Sequence, residues 1–278
     1  MIIGRSIRPH KNKQMKLIHY LVAHGRKFTV AISLLIGLTA LKPTEKPVLY
    51  IIGDSTVQNN DGNGKNEYWG WGTLLKPYLD TTRITLLNHA KSGTSTRTFI
   101  TDGRWTKILE TLKRGDFVIM QFGHNDQAEI NDSSRAKGTL KGTGEEVQEI
   151  FNLKTKQQET VHSYGWYMRK FIREAKEKGA IPIVCSLVPR EKWKNGKVDR
   201  EIEYVNWAQE VATAEGAYFI DLNKIIVQKW EQMGADAVKD FFPGDHTHTN
   251  KKGAELNAGS VAEGLRSIKD CPLNKFLK

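Results

Sequence analysis

The sequence has 278 residues, 39% of them hydrophobic and 26% charged, which is ordinary for a globular protein whose core needs neither disulfides nor a structural metal. Its formal net charge of +11 would suit a nucleic-acid-binding protein, but residues 1–46 contain nine Lys or Arg residues and a single acid, and so carry +8 of that charge. The remaining residues carry only +3, so the basic surface of a nucleic-acid-binding protein is not expected.

The N-terminal residues have the pattern of an export signal. A basic dipeptide precedes an apolar run of fourteen residues, 28–41, and a polar stretch with prolines follows it. The run is too short to cross a membrane comfortably. We therefore expect a periplasmic or extracellular protein with a leader over 1–46, cleaved or kept as an N-terminal membrane anchor, and one domain over 47–278. A first core helix is the alternative interpretation of the run, and translation could begin at Met1 or Met15.

Beyond the leader, short apolar runs alternate with longer amphipathic stretches. The runs are rich in Val, Ile and Phe and are bounded by Gly, Asp or Pro, which is typical of buried parallel strands. Strands that alternate with helices predict an α/β fold, a three-layer α/β/α sandwich with a five-stranded parallel sheet. The predicted strands are residues 48–52, 84–88, 117–121, 181–186 and 218–221, and the predicted helices are 71–78, 104–112, 162–178, 202–215, 223–233 and 254–268.

One connection, residues 127–159, is longer than the others and differs in composition. It is polar and rich in Gly, Lys and Glu, with glycines at 138, 142 and 144. Connections of this length are uncommon in compact domains unless they have a function. The segment is therefore predicted to be a functional loop or lid, and a disordered insertion is the alternative.

The two cysteines give little information about the compartment. Cys185 lies within an apolar run and is expected to be a small buried hydrophobic residue. Cys271 lies near the C-terminus. A disulfide between them is the less favoured alternative, since a thiol in a core strand rarely reaches a terminal segment.

Small and polar residues follow the first three predicted strands, at the sheet edge where parallel α/β proteins form their sites. Ser55 comes after the first strand and is a candidate nucleophile, with a helix expected to start beside it and favour negative charge. Gly93 follows the second strand and Asn125 the third. With the backbone N–H of Ser55, they could provide three donors for an oxyanion hole. Each residue alone is also common in ordinary turns and caps.

A loop near the C-terminus, residues 242–250, carries an acid and two histidines. Asp245 and His248 are three residues apart, a spacing at which the carboxylate can hold one imidazole nitrogen while the other faces outward. A hydroxyl nucleophile needs such a base. His246 is adjacent to Asp245 and is expected to point away, so His248 is the preferred base.

Together these motifs resemble the four blocks of the SGNH (GDSL-type) hydrolases. Gly-Asp-Ser after the first strand, the glycine of Asn-His-Ala-Lys-Ser-Gly, Gly-His-Asn-Asp after the third strand and Asp-x-x-His before the last helix occur in the family's order over residues 47–268. The resemblance implies a serine esterase without a cofactor or metal. It assigns Ser55 as nucleophile, His248 as base and Asp245 as its orienting acid, with Gly93 and Asn125 in the oxyanion hole.

The finer resemblance is to rhamnogalacturonan acetylesterases, through Gly-Asp-Ser-Thr-Val at 53–57 and Phe-Pro-Gly-Asp-His-Thr-His-Thr at 242–249. It implies removal of acetyl groups from pectic polysaccharides, with an acetylated polysaccharide or oligosaccharide as the partner. Acetylxylan or another acetylated carbohydrate is the alternative substrate. The aromatic residues Tyr68, Trp69 and Trp71 could stack on sugar rings or anchor the core.

Three other functions remain as remote alternatives. A metal-dependent phosphoesterase would use Asp54, Asn125, Asp126, His246 and His248 as ligands, but the Asp-x-His that such enzymes need after the first strand is absent from the sequence. A non-catalytic carbohydrate-binding protein could share the fold. A sugar O-acyltransferase would use the same site with a sugar as acceptor instead of water.

Overall fold

The computed structural model of the protein describes residues 45–59 and 67–278. The predicted leader, except for residues 45 and 46, therefore lies outside the described residues. In the described part, the sheet has five parallel strands, as the sequence predicts, and their spatial order is the second, first, third, fourth and fifth along the chain. Its strands are β1 (Val48–Gly53), β2 (Thr85–Asn88), β3 (Phe117–Gln121), β6 (Ile181–Cys185) and β9 (Tyr218–Ile220).

Helices cover both faces of the sheet, because the central strands are apolar on both sides. Leu49 and Ile51 of β1 face one core, whereas Tyr50 and Ile52 face the other. This alternation gives the three-layer α/β/α arrangement. The helices are α1 (Thr96–Thr101), α2 (Arg104–Thr111), α3 (Tyr164–Glu177), α4 (Ile202–Ala214), α5 (Leu222–Met233), α6 (Ala235–Lys239) and α7 (Lys251–Ser267), with 3₁₀ helices at Thr73–Tyr78 and Pro272–Phe276.

Several elements differ from their predicted form. The predicted helix 71–78 is a 3₁₀ helix over Thr73–Tyr78 with Pro77 inside it, and a proline cannot donate the backbone hydrogen bond of an α-helix. Helix α1 was not predicted. Ser95 and Thr98 cap its N-terminus with a reciprocal capping box. A two-residue hairpin, β7 (Trp193–Lys194) with β8 (Lys197–Val198), is also additional.

The long connection 127–159 is ordered and contains regular structure. It includes β4 (Val147–Asn152) and the first half of β5 (Gln157–His162), which form an antiparallel pair. The expected start of the following helix at 162 is wrong, because that residue ends β5 and α3 starts at Tyr164. The hairpin has few buried apolar side chains, so its sequence shows little of the alternation that identifies strands.

Buried Arg97 of α1 holds this connection, which we call the insertion, against the domain. Its side chain is 0% exposed and makes a two-bond contact with Glu159 at 2.7 and 2.6 Å. It also donates to the backbone carbonyls of Ile130 and Gly138. A buried guanidinium needs such partners, so the insertion is an integral part of the fold.

The structure also tests the expected state of the cysteines and the presence of membrane-spanning helices, in the residues that it describes. Cys185 and Cys271 are both buried and both free, so they form no disulfide with each other. No helix within residues 45–59 or 67–278 is long and apolar enough to cross a membrane.

Candidate active site

Ser55 lies in a tight turn directly after β1. The carbonyl of Asp54 accepts hydrogen bonds from the backbone N–H groups of Val57 and Gln58 at 3.2 and 3.0 Å, which closes a single turn. The expectation of a helix beginning beside Ser55 is wrong: residues 54–57 form only this turn. The electrostatic contribution of a helix N-terminus is therefore unavailable at Ser55, and other groups have to stabilise negative charge there.

A chain of buried hydrogen bonds fixes the turn to the sheet. Trp71 Nε1 donates to Gln121 Oε1 at 2.9 Å, and Gln121 Nε2 donates to Thr56 Oγ1 at 2.9 Å. The hydroxyl of Thr56 donates in turn to Asp54 Oδ1 at 2.7 Å. All four side chains are buried. Ser55 thus follows directly on a residue whose side chain is locked into the core.

The structure brings Ser55 together with Asp245 and His248. His248 Nε2 lies 2.8 Å from Ser55 Oγ, and His248 Nδ1 lies 2.6 Å from Asp245 Oδ2. A carboxylate only accepts, so Nδ1 carries the proton and Nε2 is left to accept from the serine hydroxyl. This is the geometry of a serine nucleophile with an oriented base.

The Asp245 carboxylate is also bound by the backbone of its own loop. Its Oδ1 accepts from the N–H groups of Thr247 and His248 at 2.6 and 2.7 Å. Partial burial opposes its ionisation, but hydrogen bonds from His248 and Thr247 outweigh that effect and hold the pKa of Asp245 below its usual value. His246 lies apart from this group, with Nδ1 2.7 Å from Glu191 Oε2.

Three N–H groups that could serve a ligand belong to residues lining the cleft at Ser55. Gly93 and Asn125 line the same cleft as Ser55 and His248. In the described part of the chain, the backbone N–H groups of Ser55 and Gly93 have no hydrogen-bond acceptor. Gly93 has φ +81°, a left-handed conformation that favours glycine. Asn125 Nδ2 donates one hydrogen to the Thr94 carbonyl at 2.9 Å, and its second hydrogen remains for a ligand.

The three aromatic residues after the first strand divide between core and site. Trp71 is fully buried and serves the core, as its bond to Gln121 shows. Tyr68 is partly exposed and its ring lies 5.3 Å from that of His248. Trp69 packs against Lys251, whose Nζ lies 5.5 Å from the centroid of the Trp69 ring. Of the three, Tyr68 is the one that lies beside the predicted base.

Positive charge is concentrated along the cleft, whose volume is about 510 Å³. Asp102 is the acidic residue among those that line it. In the described residues, none of the cleft's Lys or Arg side chains lies within ion-pair distance of a carboxylate. These cations are Lys91, Arg104, Arg135, Lys137 and Lys154.

Asp126, next to Asn125, is a buried acid with a strongly shifted pKa. Its Oδ1 accepts from the backbone and hydroxyl of Thr96 at 3.1 and 2.5 Å, while Oδ2 has no partner among the described residues. Desolvation, aided by the nearby charge of Asp54, raises the pKa of Asp126 to about 7. The folded protein therefore retains a proton at Asp126 that the unfolded chain releases near the ordinary aspartate pKa of 3.8.

That difference predicts a loss of stability as the pH rises. Between about pH 4 and pH 7 the folded state binds the extra proton, so the free energy of unfolding falls across this window. Asp126→Asn, which stays neutral, should remove roughly 2 kcal/mol of the decline between about pH 5 and pH 8 in urea unfolding. Exposed Asp240→Asn is the control. An unchanged decline in Asp126→Asn would show that Asp126 is ionised throughout.

Residues 51–256, well over half of the chain, match the GDSL-like lipase/acylhydrolase family. The chain belongs to this family. It is a carboxylic ester hydrolase, in agreement with the resemblance found in its sequence. Among the described residues, no group of three or more His, Cys, Asp or Glu side chains is placed to hold a metal ion.

Two relatives within the family have names that refer to the same substrate. The chain is 30% identical over 234 residues to the rhamnogalacturonan acetylesterase of Emericella nidulans, an alignment that covers 83% of this chain and 89% of that protein. It is 29% identical to the probable rhamnogalacturonan acetylesterase YesY of Bacillus subtilis, covering 79% of this chain and 93% of the relative.

Solved structures support the same fold. The YxiM protein of Bacillus subtilis aligns with a TM-score of 0.66 and 26% identity, covering 82% of this chain and 59% of that longer protein. A catalytic mutant of Axe2, an acetylxylan esterase from Geobacillus stearothermophilus, aligns with a TM-score of 0.51 and 16% identity, covering 78% of this chain and 93% of the other. At that identity the second likeness shows the fold alone.

Some residues that the structure places at the site carry no recognisable signal in the sequence. Lys137 and Arg135 come from the insertion and line the cleft. Arg97, the anchor of the insertion, lies on a helix that was not predicted. No local motif marks these residues, because their positions depend on contacts between α1 and a segment more than thirty residues later.

Proposed function

We propose that this protein is a carbohydrate acetylesterase that acts on acetylated rhamnogalacturonan. Support for acetyl removal from a carbohydrate comes from the names of the relatives and from the open cleft beside Ser55. Support for the pectic substrate comes from the charge of the cleft. Rhamnogalacturonan contains galacturonate and is an anionic polymer, whereas the xylan backbone is neutral.

The proposed reaction uses Ser55 and His248 in two half-reactions. Ser55 Oγ forms a bond to the acetyl carbonyl carbon as His248 Nε2 takes the hydroxyl proton. The N–H groups of Ser55, Gly93 and Asn125 hold the oxyanion. Collapse breaks the ester bond, and the sugar oxygen leaves with the proton from His248. Water then attacks the acetyl-serine as His248 accepts one of its protons. That proton returns to Ser55 as acetic acid leaves, which ionises to acetate in solution.

The single observation that carries the choice of substrate is the set of five cations along the cleft against one acid. The body of the chain has a small net charge, so this concentration is local. A cleft lined by one sign of charge attracts a polymer of the opposite sign and raises its local concentration. An anionic backbone would therefore bind better than a neutral one.

The test is acetate release by the full chain from acetylated rhamnogalacturonan and from acetylxylan, with EDTA present and Ser55→Ala as control. Expected is a kcat/KM at least about tenfold higher on rhamnogalacturonan, with an advantage that shrinks as salt is raised from about 0.05 to 0.5 M because salt screens exposed charge. Hydrolysis of neutral 4-nitrophenyl acetate should not share this salt dependence. Preference for xylan at every salt concentration would overturn the pectic assignment and leave the esterase proposal intact.

We also propose that the protein is exported, with residues 1–46 as its leader. The support is the apolar run 28–41 and a substrate class that is found outside the cell. The leader itself lies outside the described residues, so fractionation of cells producing the full chain is the appropriate measurement. Recovery of the protein only from the cytoplasm would refute export.

A further inference from the structure

The side-chain amide of Asn125 is held by two partners of opposite character. Lys137 Nζ donates to Asn125 Oδ1 at 2.5 Å, and Asn125 Nδ2 donates to the backbone carbonyl of Thr94 at 2.9 Å. An ammonium group can only donate and a carbonyl can only accept. The orientation of the amide is therefore fixed. In a flipped amide, Nδ2 would face the Lys137 ammonium, donor against donor, and Oδ1 would face the Thr94 carbonyl, acceptor against acceptor.

We propose that Lys137 is a positioning residue for the oxyanion hole, an inference that rests on the proposed esterase function. Lys137 fixes the amide of Asn125 so that its second N–H group remains for the substrate oxygen. Its positive charge on Oδ1 also polarises the amide and makes that N–H a stronger donor. Because no helix begins at Ser55, a cation near the hole supplies the stabilisation that a helix N-terminus would otherwise give.

The insertion is built to deliver Lys137 to this position. Lys137 is only 9% exposed, and its neighbour Gly138 fits so closely that a Cβ there would lie 1.9 Å from the Ala128 carbonyl oxygen. The next residue, Thr139, donates its backbone N–H to the Asp126 carbonyl at 3.1 Å, which ties this segment of the insertion directly to the residue after Asn125. The Arg97 contact to the Gly138 carbonyl completes the attachment.

Burial and neighbouring Arg135 hold the pKa of Lys137 below its usual value, and the nearby acids Asp54, Asp126 and Asp132 oppose part of that shift. A lysine at the rim of a cleft could instead serve only to bind the polymer. Its contact with Asn125 distinguishes it from Lys91 and Lys154, which line the same cleft and make no side-chain hydrogen bond to Asn125 among the described residues.

The experiment measures kcat and KM of the full chain with 4-nitrophenyl acetate, a neutral ester that needs no charged subsite. Lys137→Met should lower kcat about 10- to 100-fold with KM changed by less than about threefold, since the lost interaction acts mainly in the transition state. Lys137→Arg should recover much of that loss by restoring the charge. Lys141→Met, a change in the same insertion at a side chain that is 73% exposed, is the matched control and should behave as wild type.

A double-mutant cycle decides whether Lys137 acts through Asn125. Lys137→Met should lower kcat by less than about threefold in an Asn125→Ala background, because the group that it positions is gone. An equal fold-loss in both backgrounds, or a loss seen in KM alone, would overturn the proposal. Lys137→Gln is measured as a second uncharged variant and should show the same pattern as Lys137→Met. Thermal unfolding of each variant shows whether a loss of activity comes from a loss of stability. Failure of the esterase proposal is separate, since the wild-type chain would then not hydrolyse the ester at all.

Discussion

Ser55→Ala is expected to lower kcat for ester hydrolysis by about 10⁴- to 10⁶-fold while the protein remains folded. The substitution removes the atom that forms the acyl-enzyme, and the remaining N–H donors and His248 cannot replace it. Its effect on stability should be small, because within the described part of the chain the Ser55 side chain has one hydrogen bond, to His248 at 2.8 Å, and is not fully buried. Steady-state hydrolysis of 4-nitrophenyl acetate and thermal unfolding test both parts.

Two further measurements sharpen this result. Mass spectrometry of the quenched wild-type enzyme should show an added acetyl group on the peptide that contains Ser55, and the variant should show none. Ser267→Ala, at an exposed serine near the end of α7, is the matched control for loss of a hydroxyl. A Ser55→Ala protein that still accumulates an acetyl group would place the nucleophile elsewhere and refute the proposed mechanism.

Asp245→Asn is expected to lower kcat by about 10²- to 10⁴-fold. The amide can still accept from the backbone of Thr247 and His248, so the loop keeps its shape. An amide nitrogen that faced His248 Nδ1 would donate to it and leave the proton on Nε2. In that tautomer the imidazole cannot accept the proton of Ser55. The upper part of the range applies to a buried acid; the Asp245 side chain is 43% exposed, so rearrangement with water can restore some activity.

The readout for Asp245→Asn is kcat as a function of pH. The low pKa of Asp245 means that the wild-type carboxylate stays ionised over the neutral range, so its contribution is present throughout. The loss in the variant should therefore be similar at about pH 6 and pH 8. Asp240→Asn, on the same connection and exposed, controls for loss of negative charge. A variant with near-wild-type turnover would remove Asp245 from the proposed triad.

The sheet could be predicted from the sequence because its strands carry their signal locally. Residues 48–52 are hydrophobic throughout, and they pair with the hydrophobic residues 117–120 of the neighbouring strand. The carboxyl ends of parallel strands then meet at one edge. For that reason Ser55 and Asn125, which are far apart in sequence, could be expected to lie close together.

The groups that surround the site could not be predicted in the same way. Arg97 lies on a short helix defined by a capping box, and its partners belong to a polar segment whose strands lack a clear apolar alternation. The sequence contains many lysines, and no pattern in it marks Lys137. The position of Lys137 is fixed by the close approach of Gly138 to Ala128 in the folded protein. The turn at Ser55 was also predicted incorrectly, because Gly-Asp-Ser is compatible with the start of a helix as well as with a single turn.

The contact between Ser55 and His248 joins positions that are 193 residues apart. Closing so long a loop has an entropic cost, which is offset by the packing of the strands and helices between the two residues. The reactive pair therefore exists only in a chain whose first strand and C-terminal loop have both reached their native positions. Partly folded molecules carry an unactivated serine, so newly made chains cannot hydrolyse esters before the domain is complete.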